Sequence, residues 1–145
     1  MNKNQGAFLF DPERAVLLSV DNKPLQTADD LRNYLGCDDL GCVRFYDDYL
    51  LFFDESALQL GLRHIIRIEG YNDPFAGRLL VMHFDFSCSV PFSEAKNIQA
   101  RLKLFKPVID PVIETKKVVV DDVTSFTSFV ARLETRIVET PIALG

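Results

Sequence analysis

Arg63, His64, Arg67, Arg78 and His83 are the side chains in this sequence best suited to gripping an anion or moving a proton. Arg63 and Arg67 alternate on one face of the stretch RHIIRIEG, and a neighbouring strand carrying Arg78 would bring three guanidiniums together. Such a set holds a phosphate or a carboxylate through charge-assisted, often bidentate hydrogen bonds. With His64 and His83 beside it, the set would line a pocket for a phosphate or nucleotide, or the site of a small enzyme. The same residues also fit a solvated sheet face, which is the plainer reading.

Carboxylates form the opposing set, gathered as Asp29/Asp30, Asp38/Asp39, Asp47/Asp48, Asp54/Glu55 and Asp121/Asp122. Paired carboxylates can do acid–base work or bind hard cations. Here CDDLG, YDDY and FDES fall between apolar runs, where acids are ordinary turn formers. Asp47, Asp48, Asp54 and Glu55 therefore stand as candidate partner contacts, with solvated turns as the alternative.

Soft ligands are sparse. Cys37 and Cys42 are five apart, as are His83 and Cys88. Structural zinc sites use tighter knuckles, and residues five apart on a strand point to opposite faces. Neither histidine sits in a nucleophile motif, and no glycine-rich phosphate loop is present. No cofactor, metal or catalytic residue is expected. The odd cysteine count fits a reducing cytoplasm, and no apolar run reaches the ~20 residues of a membrane helix.

The formal net charge of −5 repels a phosphate backbone, so direct nucleic-acid binding is not expected. A protein partner is, and a homodimer is allowed.

The elements that must position these residues follow from hydrophobic period. AFLFDPERAVLLSV reads as a strand, a turn at Asp11-Pro12 and a second strand. Thr27 and Asp30 form a capping-box-like start for a helix over Ala28–Leu35, with Gly36 ending it. CVRFYDDYLLFF reads as two strands around Asp47-Asp48, RHIIRIEG as a strand, and RLLVMHFDF as a central strand because it is apolar throughout. In SEAKNIQARLKLF, the spacing of Ile98, Leu102 and Phe105 predicts an amphipathic helix closed before Pro107. IETKKVVV reads as a late strand. From Asp122 onward, Val123, Phe126, Phe129/Val130, Leu133 and Ile137 lie on one helical stripe, predicting a second long helix. The expected fold is α+β, a mixed, mainly antiparallel sheet of about five to seven strands packed with two to three helices. One domain over residues 1–145 is preferred to a separate helix-strand-helix extension over 90–145 joined by KPVIDPVIE.

The segment from LRNYLGC through VRFYDDYLLFFDESALQLGLRHIIRIEGYNDPFAGRLLVM, residues 31–82, resembles a small uncharacterised domain family of phages, plasmids and other mobile elements. Its signature positions would be Asp54, Glu55, Gly61, Leu62 and Gly77, although Arg63-His64 stands where the family tends to carry proline and asparagine. The resemblance implies an accessory role in a mobile element and no particular activity. Together these readings favour a non-enzymatic interaction protein working through an exposed sheet edge or an acidic face. An acidic face could also inhibit a partner by competing with nucleic acid for a basic site.

Overall fold

A computed structural model describes residues 6–60 and 63–145. Its strands are β1 (Gly6–Asp11), β2 (Val16–Asp21), β3 (Leu40–Arg44), β4 (Tyr49–Asp54), β5 (Ile65–Ile68), β6 (Leu79–His83), β7 (Leu102–Val119), β8 (Ser125–Thr140) and β9 (Ala143–Leu144). The α-helices are α1 (Ala28–Leu35) and α2 (Ala95–Ala100). One sheet runs β3-β4-β6-β1-β2-β9 and the other β5-β7-β8. The parallel pairing of β9 with β2 makes the first sheet mixed, while its other pairings are antiparallel. The protein is thus α+β, as its sequence implies.

The chain divides into two units. The first comprises the described residues up to Lys106 together with Glu139–Gly145, and the second is Pro107–Val138.

In the first unit the central strands are apolar on both faces because both are covered. Phe8, Phe10, Leu51, Leu79 and Val81 face a layer that includes Ile66, Ile68, Ile98, Leu102 and Leu104. Ala7, Leu9, Phe52, Leu80 and Met82 face Leu31 and Leu35 of α1. This double burial explains why β6 reads as one continuous apolar run. Each fully buried Leu or Phe contributes about 1.5–3 kcal/mol relative to exposure. Among the described residues Asn22 is the buried polar side chain of this core, and its Nδ2 donates to the carbonyls of Phe86 and Cys88 at 3.2 and 3.0 Å.

The start of α1 forms as its sequence requires. Thr27 Oγ1 accepts from the Asp30 N–H at 3.1 Å, and the Asp30 carboxylate accepts from the N–H groups of Thr27 and Gln26 at 3.0 and 3.1 Å. Gly36 closes the helix in the left-handed region, φ 67°, which a residue with a Cβ resists.

One expected helix is cut short and another is replaced by strand. Instead of continuing to Phe105, α2 stops at Ala100, and Leu102 and Leu104 alternate inward on β7 to pair with Ile68 and Ile66 of β5. The long helix expected from Asp122 is β8. Phe129, Leu133 and Ile137 are four apart, a spacing that satisfies both a helical stripe and strand alternation. The β-branched and aromatic residues of this stretch decide for the strand.

Candidate functional site

The acidic candidates lie at the two ends of β4. Strands β3 and β4 form a hairpin whose tip carries Asp47 and Asp48, with Asp47 in the left-handed region at φ 48°. Asp54 ends the same strand and Glu55 follows it in the next turn. Six residues of strand separate the two acidic turns by roughly 17 Å, so they are two sites and not one face. Asp54 serves its own turn by accepting from the Ser56 N–H at 2.9 Å, while the Glu55 N–H donates to the Asp39 carbonyl at 2.9 Å.

The rings between these turns are architectural. Tyr49 and Phe52 are buried, and Tyr46 packs edge-on against both Phe45 and Tyr49. The Tyr46 hydroxyl donates to Glu94 at 2.7 Å, and the Arg101 guanidinium lies 4.0 Å from the ring centroid. Burial, reinforced by that carboxylate, pushes the Tyr46 phenol well above its ordinary range, while the Tyr46 hydroxyl holds Glu94 below its own.

The basic candidates separate. Arg63 and Arg78 line a cleft of about 610 Å³ with His64, and Asp11, Glu13 and Asp54 line it too. His64 Nε2 accepts from the Gly77 N–H at 2.8 Å, so the imidazole proton of the neutral ring sits on Nδ1. Burial and the nearby Lys106 lower the His64 pKa below 6.5, against the pull of Glu13 and Asp11. Gly77 presents this N–H from φ 79°, again a glycine conformation. Arg78 also donates to the Tyr34 carbonyl at 3.1 Å. Arg67 lies elsewhere, opposite Lys103 in the β5–β7 pairing, and donates to the Asn72 carbonyl. His83 packs between Tyr49 and Phe84 and accepts from the Asp85 N–H at 3.0 Å. The cleft therefore gathers Arg63, His64 and Arg78 and leaves out Arg67 and His83. Of the signature positions, Gly61 and Leu62 lie outside the described residues.

Cys37, Cys42 and Cys88 are free thiols, and burial raises the pKa of Cys37 and Cys42. Among the described residues no group of three His, Cys, Asp or Glu side chains is placed to hold a metal ion. Nor, among these residues, is any helix long and apolar enough to cross a membrane.

Pro107–Val138 carries a surface the sequence reading missed. The short connection 120–124, closed by the Val120 N–H on the Thr124 carbonyl at 2.9 Å, turns β7 back as β8 in an antiparallel ribbon. Ion pairs Arg136–Asp110, 2.5 Å, and Arg132–Glu114, 2.8 Å, put these four side chains on one face of the ribbon. Strand alternation then puts Ile109, Ile113, Val119, Phe129, Leu133 and Ile137 on the opposite face. All six are exposed, between 62% and 73% of their surface. Pro107 and Pro111 fit a strand edge without a hydrogen-bonding neighbour, and four residues apart they present the same edge. The signal that could have found the ribbon is the alternation of Val and Ile through PVIDPVIE into KKVVV, followed by a β-rich return.

No family model matches the chain, and no solved structure matches it. The chain is similar to an uncharacterised protein, y4iR, of Sinorhizobium fredii, 28% identical over 114 residues that cover 75% of this chain and 69% of that protein. It is also similar to the protein PsiB of Rhizobium leguminosarum bv. phaseoli, 34% identical over 83 residues, 54% of this chain and 60% of PsiB.

Proposed function

We propose that this chain is a non-enzymatic interaction protein, an accessory of a mobile element, whose contact element is the ribbon Pro107–Val138. The observation that carries the reading is the row of six large apolar side chains open to solvent on one ribbon face. Contiguous apolar surface on this scale marks a contact site far more often than a free surface. Strand β8 is also the edge of its sheet, with backbone groups available to a partner strand. Inhibition through an acidic face has less support, because Asp47/Asp48 and Asp54/Glu55 sit at opposite ends of β4. The mobile-element role rests on the resemblance of residues 31–82, and the two rhizobial relatives are compatible with it.

The test is affinity capture from host lysate with the wild-type chain and with Leu133→Glu. A single stoichiometric protein retained by the first and lost by the second is the expected result. Equal retention by both would sink the ribbon as the contact element.

A second reading has its own observation, the convergence of Arg63, His64 and Arg78 in one cleft. It makes the protein a binder of a small phosphate or carboxylate ligand. Melting temperature measured with inorganic phosphate and with nucleotides would rise if this holds and lose the rise in Arg78→Ala. No shift with any of these ligands would end it.

A further inference from the structure

The ribbon's apolar face is matched to itself. We infer that its occupant is a second copy of this chain, so that the protein is a homodimer joined ribbon to ribbon. This rests on the reading of the ribbon as the contact element and names its partner.

The area is the first argument. A two-stranded ribbon with both faces in water is marginally stable at best, yet within this unit β7 runs 13 residues (107–119) and β8 runs 14 (125–138). At roughly 100 Å² of exposed apolar surface per side chain, the six residues offer about 600 Å². Pro111, Thr115, Ala131 and Thr135, interleaved on the same face, bring it close to the roughly 800 Å² per partner of a stable interface.

The charge pattern is the second. A two-fold contact sets one patch against its own copy, so residues near the axis meet themselves. Ile113 of β7 and Leu133 of β8 both fall on this face near the middle of the ribbon, where they meet their copies without like-charge repulsion. Lys117 is the charged residue of this face, and it stands toward the turn, away from the centre. On the other face Asp110, Glu114, Arg132 and Arg136 are already paired within the ribbon, which leaves none of them to select a partner of opposite charge. Between residues 107 and 138 there are four basic and five acidic side chains, so neither sign dominates.

Sedimentation velocity of the full chain from low to high micromolar concentration tests the inference. The expected result is a monomer–dimer equilibrium that Ile113→Glu and Leu133→Glu each weaken by about a hundredfold or more. Lys116→Gln, on the paired-charge face, should leave it unchanged. Thermal unfolding of the first unit, unaltered in all three variants, guards against a folding defect. A strict monomer, or a dimer that both glutamate variants leave intact, overturns the inference. So does a monomer that binds phosphatidylcholine vesicles through this face, which would assign the face to lipid. If the wild type is monomeric but captures one host protein that Leu133→Glu loses, the interaction reading stands and self-association alone fails. A monomer whose captures ignore the ribbon variants removes both.

Discussion

Excising the ribbon should leave the rest of the molecule folded. The perturbation joins Lys106 to Glu139 through Asn-Gly, which with one flanking residue makes a three-residue hairpin loop and keeps the pairing of the two strands in phase. Among the described residues every buried apolar side chain of the core lies between Ala7 and Leu104, so the excision takes none of them. What it removes are exposed ion pairs such as Arg136–Asp110 and Arg132–Glu114, worth about 0–1 kcal/mol each. Shortening the connection from 32 residues (107 through 138) to two acts the other way. At about 0.6 kcal/mol per doubling of loop length, the gain is about 2 kcal/mol. The two effects nearly cancel, and the expected change in unfolding free energy is within about 2 kcal/mol. Urea unfolding followed by far-ultraviolet circular dichroism measures it, and the denaturant slope should hardly change because the same core surface is exposed. A loss above about 4 kcal/mol, or a transition that is no longer cooperative, would refute the placement of the core.

Other perturbations have equally direct outcomes. Asn22→Ala removes the buried amide that donates to the Phe86 and Cys88 carbonyls, and the two lost hydrogen bonds should cost about 1–3 kcal/mol in the same unfolding assay. Thr27→Ala removes the side-chain acceptor of the α1 capping box and should cost about 1 kcal/mol. Hydrogen bonds from the Gln26 and Thr27 N–H groups and the Thr27 hydroxyl hold the Asp30 pKa below 3.8, so its capping contribution, present above that value, should fade as the pH falls through the folded-state pKa. His64 has a lowered pKa, so the unfolded chain binds the extra proton: stability is full above about pH 6.5 and declines as the pH drops toward the folded-state value. In a pH series of thermal unfolding, His64→Gln should flatten that decline, and an unaltered slope would contradict the neutral, hydrogen-bonded imidazole.

Much of this fold was legible in local chemistry. Thr27, Asp30 and Gly36 specify α1 because capping and a left-handed terminus are properties of adjacent residues. The continuous apolar run of β6 and the alternation in β5 likewise declare a central and a half-covered strand. The turns at Asp47-Asp48 and Asp54-Glu55 were readable, and so was the role of the rings between them. The C-terminal third was harder. Phe129, Leu133 and Ile137 fit two periods at once, and Leu102 could extend α2 until its pairing with Ile68 settled it. The cleft was half visible: Arg63, His64 and Arg78 were candidates, but Asp11 and Glu13 reach it from the other end of the sequence through the β1–β6 pairing. Arg67 and His83, chosen by the same chemistry, fall outside because strand pairing, not proximity in sequence, sorts side chains into a cavity.

The central claim is that Pro107–Val138 is where this protein makes contact. Hydrogen exchange of the amides along β8, compared between dilute and concentrated protein, tests it most directly. The account predicts protection across Ser125–Val138 that rises with concentration, with no change along β1, β4 and β6. Ribbon amides that exchange equally fast at every concentration, and remain so when host lysate is added, would contradict it.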